Sequence, residues 1–168
     1  MKPQNVSGNP TKNEITMKSK IFGDLKETEY DSDWLEASPL EIPYFSNEKI
    51  KITLVEKDSE YIQNAEIAFE NFLKLTETDK NKDSEKVYEY YEEILKAGYT
   101  KNLNLKTKSE IWNFVTVGEI VLHWSENGTI YLCVSCECEW EIEHGLQLSF
   151  KNGEKLIKAN SHSDDFEE

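Results

Sequence analysis

A histidine that follows a row of glutamates is the part of the sequence whose residue types suggest chemistry. The glutamates are Glu137, Glu139, Glu141 and Glu143, and His144 comes next. A carboxylate beside an imidazole can act as a general acid–base pair, which suggests a small hydrolase or metal-dependent enzyme using Glu143, His144 and His123. No serine or cysteine lies in a recognisable nucleophile elbow, and no second set of metal ligands is evident. We therefore expect no catalytic residues, no metal and no cofactor.

The spacing of these glutamates also predicts how they are presented. Successive side chains of a β-strand point to opposite faces, so a strand over 130–142 places an apolar stripe on one face and the glutamates on the other. Neighbouring carboxylates about 7 Å apart repel by about 0.6 kcal/mol in water. Two interpretations stay open: a solvated face screened by lysines, or a surface on which a basic partner docks.

Three cysteines lie close together in the same segment: Cys133, Cys136 and Cys138. Structural zinc needs four ligands, usually in two pairs, and the sequence has no second pair, so we expect buried free thiols. An odd number of cysteines favours a reducing compartment. Residues 1–20 have no apolar core of a signal peptide. The predicted location is the cytoplasm.

Charge limits the classes of partner. The chain has 33 acidic residues against 19 basic ones, for a net charge of −14, which argues against binding nucleic acid or an anionic membrane. All the basic residues are lysines, so arginine clamps for phosphate are missing. No apolar run approaches the roughly 20 residues of a membrane span. We expect a basic partner, if any, and a monomer or weak homodimer.

The hydrophobic pattern predicts a single α+β domain over residues 21–159. An antiparallel sheet of N-terminal strands and a C-terminal meander carries an inserted helical hairpin on one face. The first helix is capped by Asp58 or Ser59 and the second by Asp83 or Ser84, with a polar loop over 76–83. Asn127-Gly128 and Asn152-Gly153 predict two-residue turns, and His144-Gly145 predicts a reversal. Residues 1–20 and 160–168 are predicted to be a disordered leader and an acidic disordered tail.

Strand boundaries follow from the same alternation of apolar and polar residues. The predicted strands cover residues 21–25, 30–37, 49–56, 117–124, 130–142, 146–150 and 156–158.

The end of the long strand also carries a family resemblance. It rests on Trp140, Glu141, Glu143, His144, Gly145 and Leu146, with weaker matches around 42–45 and 90–91. These residues resemble the Trp-Glu-x-Glu-His-Gly-Leu signature of an uncharacterised bacterial family of α+β proteins, a domain of unknown function. Proteins similar to it are suspected of being immunity proteins, which neutralise toxins of competing bacteria. The resemblance implies no catalytic residues.

These observations favour a non-enzymatic, immunity-like binding protein that neutralises a basic toxin domain. Its first candidate contacts are Glu137, Glu139 and Glu141, with an exposed Trp34 as an apolar contact. One alternative is the enzyme that uses Glu143 and His144. Another is a structural or self-assembling module whose sheet edge pairs with itself.

Overall fold

Alternating apolar residues build one sheet of eight strands within residues 15–168, the part of the chain described by this computed structural model. The strands lie side by side in chain order, and every neighbouring pair is antiparallel except β4 and β5. Their bounds are β1 Ile15–Ser19, β2 Gly23–Glu27, β3 Leu35–Ile42, β4 Glu48–Leu54, β5 Val115–Trp124, β6 Ile130–Cys138, β7 Leu146–Lys151 and β8 Lys155–Asn160. The predicted α+β class is confirmed.

The parallel pair requires a crossover, and the predicted helical hairpin supplies it. Helix α1 runs over Ser59–Phe72, α2 over Glu77–Lys96, and a 3₁₀ segment over Lys108–Phe114 leads into β5. The helices and one face of the sheet enclose a core that includes Leu122, Leu132, Phe69 and Val87. Neither α-helix of the described residues is long and apolar enough to cross a membrane.

Caps fix where the helices begin. The Asp58 carboxylate accepts hydrogen bonds from the N–H groups of Glu60 (2.9 Å) and Tyr61 (3.1 Å), as predicted. The prediction for α2 was wrong, because residues 77–83 are its first turns rather than a loop. The Thr76 N–H donates to the Asp79 carboxylate at 2.8 Å. This capping contact places the start of the helix at least seven residues earlier than the predicted caps, Asp83 or Ser84.

The predicted strand over 130–142 was partly wrong, and the difference matters for the acidic residues. Its apolar stripe is confirmed from Ile130 to Cys138, but β6 ends there. Only Glu137 of the four glutamates lies on the strand, so the predicted carboxylate ladder does not form. Trp140 instead packs against Tyr90 and Tyr91 of α2, and this contact takes the chain out of the sheet.

The two Asn-Gly turns differ. Asn152 and Gly153 both have positive φ (50° and 69°), and the Glu154 N–H donates to the Lys151 carbonyl at 3.0 Å, so the predicted turn forms at this pair. The ladder pairs Lys151 with Lys155, however, so the connection has three residues rather than two. In the other turn only Gly128 of the pair has positive φ. There the Asn127 side-chain oxygen accepts from the Ser125 hydroxyl (2.5 Å) and the Thr129 N–H (3.0 Å), which holds a wider loop.

Parts of both segments that were predicted to be disordered have defined structure among the described residues. Strand β1 lies inside the predicted leader, whose residues 1–14 fall outside the described residues. The predicted tail over 160–168 folds back on the sheet through His162 and Phe166, which anchor it despite its polar composition. A further difference is that residues 30–34, predicted as strand, form a loop closed by a hydrogen bond from the Thr28 N–H to the Trp34 carbonyl at 3.0 Å.

Candidate functional site at the Glu139–His144 turn

Residues Glu139–His144 connect β6 to β7, and we call this connection the acidic turn. Glu141 closes it: its carboxylate accepts hydrogen bonds from the N–H groups of Glu143 (3.1 Å) and His144 (3.3 Å). The Gly145 N–H donates to the Glu141 carbonyl at 2.9 Å. The Glu141 side chain is only 16% exposed. This glutamate therefore stabilises the turn and offers little of its charge to a partner.

Trp140 fixes the turn to the body of the protein. Its buried ring meets the rings of Tyr90 and Tyr91 edge to face, at centroid distances of 6.2 and 6.0 Å. The Tyr90 hydroxyl donates to the Gly145 carbonyl at 3.0 Å. Gly145 has a φ of 63°, and a Cβ at this position would lie 2.7 Å from the Cys136 carbonyl oxygen. Packing, hydrogen bonds and backbone conformation together hold the turn rigid.

The outer side of the turn is apolar at its tip and acidic around it. Ile142 is 88% exposed. Glu137, Glu139 and Glu143 are exposed around it. Within residues 15–168, no lysine forms an ion pair with any of these three carboxylates. The arrangement is an apolar side chain surrounded by free negative charge.

An open cleft lies on each side of the turn. One, of about 910 Å³, reaches towards Phe114 and His162. The other, of about 920 Å³, reaches towards Tyr99 and Lys101. Residues of the turn line both clefts: Glu139, Ile142, Glu143 and His144. The acidic turn is therefore a ridge between two depressions, a shape that a protein surface can grip from both sides.

The groups invoked for an enzyme lie apart. The His144 ring is 63% exposed, and its Nδ1 atom is 3.5 Å from the Glu141 carboxylate. His123 pairs with Tyr131 across β5 and β6, and the distance along β6 from Tyr131 to Cys138 is about 23 Å. His123 lies under Phe166, and this burial lowers its pKa. The structure does not bring His123 into a cleft with Glu143 and His144.

Trp34 also lies away from the glutamates. Leu35, the residue after Trp34, lies in one row across the sheet with Leu54, Leu122 and Leu132. Leu132 is therefore three strand spacings from Leu35, or about 14 Å. Glu137 lies about 16 Å further along β6 from Leu132. Trp34 is half-buried and meets Tyr30 edge to face at 5.8 Å. It therefore does not share a surface with the acidic turn.

The cysteines pack as buried free thiols, as expected. Burial raises the pKa of Cys133 to about 12 and that of Cys138 to about 11, and it raises the pKa of Cys136 as well. All three are therefore protonated near neutral pH and are poor nucleophiles. In the described part of the chain, no three His, Cys, Asp or Glu side chains are grouped to hold a metal ion.

Sequence reasoning missed Ile142 as a surface residue. The alternation of Cys138, Trp140 and Ile142 predicted that all three face the core. The signal that β6 ends early is the reversal at His144-Gly145, because Glu141 lies three residues before His144, within reach of its N–H. A reversal with a glutamate at this spacing indicates a capped turn rather than more strand.

A comparison with protein families identifies the family of this chain. A family model described as "Domain of unknown function (DUF6985)" matches residues 24–166, a range that includes the helices and the acidic turn. No curated protein matches the chain, and no solved structure matches it.

Proposed function

We propose a function for this chain from its geometry, because the chain belongs to DUF6985, a family described only as a domain of unknown function. The proposed function is that of a non-enzymatic binding protein, which captures a basic protein partner on the acidic turn. The observation that carries the proposal is Ile142, 88% exposed on a rigid turn and surrounded by the free carboxylates of Glu137, Glu139 and Glu143.

The arrangement has the anatomy of a protein interface. Interfaces concentrate their binding energy in a few apolar or aromatic anchors, and a polar rim excludes water from them. Ile142 is such an anchor, and the three glutamates form a rim of one sign. Tyr99, which is 80% exposed, lines the adjoining cleft and adds aromatic surface. A rigid turn also loses little conformational entropy on binding.

The net charge of −14 supports a basic partner. A strongly charged protein attracts an oppositely charged one at long range and accelerates their encounter, and salt screens this effect. The finer proposal is that the partner is a basic toxin domain and that the chain is its immunity-like inhibitor. Three buried free thiols suit a reducing compartment, so the proposed location is the cytoplasm.

The test takes as partner a basic protein domain encoded by a gene adjoining that of this chain and measures association by stopped-flow fluorescence; if neither adjoining gene encodes a basic domain, the immunity-like proposal is rejected. The triple variant Glu137→Lys, Glu139→Lys and Glu143→Lys should associate at least about tenfold more slowly at low ionic strength, because it loses the attractive charge at the contact. The difference should shrink as salt is added.

A matched control carries the same change in net charge elsewhere. The variant Glu29→Lys, Glu70→Lys and Glu126→Lys alters three exposed glutamates outside the acidic turn and should slow association much less. Equal slowing in both triples would show that net charge alone matters and would reject the acidic turn as the docking site. An unchanged rate in the first triple would reject the proposal as well.

A further inference from the structure

The residues after β8 fold back over the face of the sheet that the helices leave open, and we call Ser161–Glu168 the strap. The His162 N–H donates to the His144 carbonyl at 3.0 Å. The His162 Nε2 atom lies 3.2 Å from the Cys136 carbonyl oxygen and 3.0 Å from that of Leu146. Since both partners are acceptors, Nε2 carries the proton. The N-terminal part of the strap is therefore held by hydrogen bonds from His162 to backbone carbonyls.

The C-terminal part of the strap contacts two aromatic rings and two lysines on the face of the sheet. The Phe166 ring stacks on His123, with centroids 4.6 Å apart and planes at 21°, and it also meets Tyr131 at 5.5 Å. Lys158 pairs with Asp165 at 2.8 Å, and Lys151 pairs with Glu168 at 2.7 Å. We call this seat the strap groove. Its members are His123, Tyr131, Lys151 and Lys158.

The strap groove is complementary to an acidic segment that contains an aromatic ring. Two lysines border an aromatic floor in a chain whose net charge is −14. The strap supplies the matching pattern, with Phe166 between acidic residues on both sides. Its carboxylates are well exposed in their ion pairs, and exposed pairs contribute little stability. The two ion pairs therefore contribute little to holding the strap in the groove.

Two polar side chains lie on the same face of the sheet as the strap. Gln147 and Ser149 alternate with the core residues Leu146, Leu148 and Phe150 on β7, so they lie on the open face. Gln147 is 7% exposed and Ser149 is fully buried. The Ser149 hydroxyl lies opposite Cys133 and hydrogen-bonds with its thiol. The Gln147 amide nitrogen lies opposite Asn160, whose side-chain oxygen likewise has no partner within residues 15–168.

We propose that the strap groove is a second binding site, which takes an acidic, phenylalanine-containing peptide segment of another protein, and that the strap is its internal competitor. This site lies on another surface from the acidic turn and binds the opposite charge. It does not depend on the function proposed above. A tethered competitor acts at a high effective concentration, so the groove accepts an external peptide readily only when the strap is released.

The experiment uses the full chain with Phe166→Ala, which removes the ring from its seat and leaves the lysines in place. The probe is the acetylated peptide Ser-Asp-Asp-Phe-Glu-Glu, with Ser-Asp-Asp-Ala-Glu-Glu as the control peptide. We expect the phenylalanine peptide to bind this variant at least about tenfold more tightly than it binds the unmodified chain. Saturable ¹H–¹⁵N shift changes should centre on His123 and Tyr131, and the control peptide should produce none.

A second variant keeps Phe166 and weakens the fastening. The full chain with Asp165→Asn and Glu168→Gln loses both ion pairs and should also bind the phenylalanine peptide more tightly than the unmodified chain. Adding Lys151→Glu and Lys158→Glu to the Phe166→Ala chain should abolish binding.

Three results would overturn the proposal. The first is the absence of saturable shifts in both strap variants at millimolar peptide. The second is equal binding of the two peptides. The third is dimerisation of the full chain with rising concentration in sedimentation, if Phe166→Ala removes it, because the occupant would then be the strap of a second copy.

Discussion

The acidic turn and the strap are both charged, exposed segments next to β7, yet they are held in opposite ways. The turn is held by the buried Trp140 and by the Glu141 carboxylate, which accepts hydrogen bonds from two backbone N–H groups of the turn. Its conformation is therefore fixed by packing against the core. The strap depends on one histidine, one half-buried ring and exposed ion pairs. A segment held by the core presents a fixed surface, whereas a segment held by surface contacts can exchange with a competitor. The predictions below test this difference.

The largest effect should come from Trp140→Ala. Removing a buried tryptophan leaves a cavity beside Tyr90 and Tyr91, and we expect a loss of about 3–5 kcal/mol in the free energy of unfolding, measured in urea. Trp140→Phe is the matched control. It should cost much less, because it keeps a ring and removes an indole N–H that has no partner among the described residues. Phe166→Ala in the strap should cost less than about 1 kcal/mol. Similar losses for Trp140→Ala and Phe166→Ala would contradict the comparison.

A smaller effect is expected from Gly145→Ala. The new Cβ would lie 2.7 Å from the Cys136 carbonyl oxygen and 3.1 Å from the His162 Nε2 atom, in a backbone with φ of 63°. We expect a loss of about 2–3 kcal/mol in urea unfolding, because the strained conformation and the clash add. Gly98→Ala shares the positive φ but meets no atom within 4 Å, so it should cost about 1 kcal/mol. Equal losses would show that the close approach at Gly145 is unimportant.

Glu141→Ala should have a moderate effect. It removes the acceptor for two backbone N–H groups of the acidic turn, and we expect a loss of about 1–2 kcal/mol in thermal or urea unfolding. Glu143→Ala removes an exposed carboxylate from the same turn and should change the stability by less than about 0.5 kcal/mol. In the binding test the order should reverse, with Glu143→Ala slowing association more than Glu141→Ala. The same order in both measurements would contradict the division between structural and docking glutamates.

The smallest effect should be the response of the strap to acid. Burial under Phe166 lowers the pKa of His123, and Asp164 of the strap opposes this only in part. Since the unfolded histidine binds its proton near pH 6.5 and the folded one only at lower pH, stability falls as the pH drops below about 6.5 and levels off below the folded pKa. The protection factor of the strap amides, which is the exchange rate corrected for its intrinsic dependence on pH, should therefore fall in acid, more than that of the acidic turn. In His123→Asn this additional loss of protection should disappear. If it persists, His123 is not its cause.

Periodicity was sufficient to predict strands β4 to β8 and the presence of the helical hairpin, because strands and helices bury one face each at their own spacing. It missed β1 and placed the strand now seen at Leu35–Ile42 over 30–37. It failed where one contact outside the element decided the outcome. Trp140 continues the alternation of β6, but the rings of Tyr90 and Tyr91 lie on α2, about 50 residues earlier in the chain. Nothing local to β6 shows that those rings are near, and the one local sign of a turn, the spacing of Glu141 and His144, was overlooked. The sequence therefore predicted strand where the structure has the acidic turn.

Composition misled the prediction of the tail for a related reason. Residues 160–168 are polar and acidic, which is typical of disorder. A single phenylalanine, Phe166, does not by itself predict that such a segment folds. Its seat exists only after β5 pairs with β6 and brings His123 beside Tyr131. The error at the start of α2 had another cause. Thr76 and Asp79 have the spacing at which an N-cap backbone and a side chain can hydrogen-bond, so the sequence did contain a local signal for this helix start, and the prediction overlooked it.

The single parallel pair described above also bears on how the chain folds. Strands β1–β4 and β5–β8 are two meanders built from neighbouring strands, and only the β4–β5 ladder joins them, across residues 55–114. Closing so long a loop costs entropy before any contact repays it. We expect each meander to gain structure early and the seam between them to close late. Substitutions of Ile52 and Ile120, which face each other across the seam, should then mainly accelerate unfolding and leave the refolding rate almost unchanged.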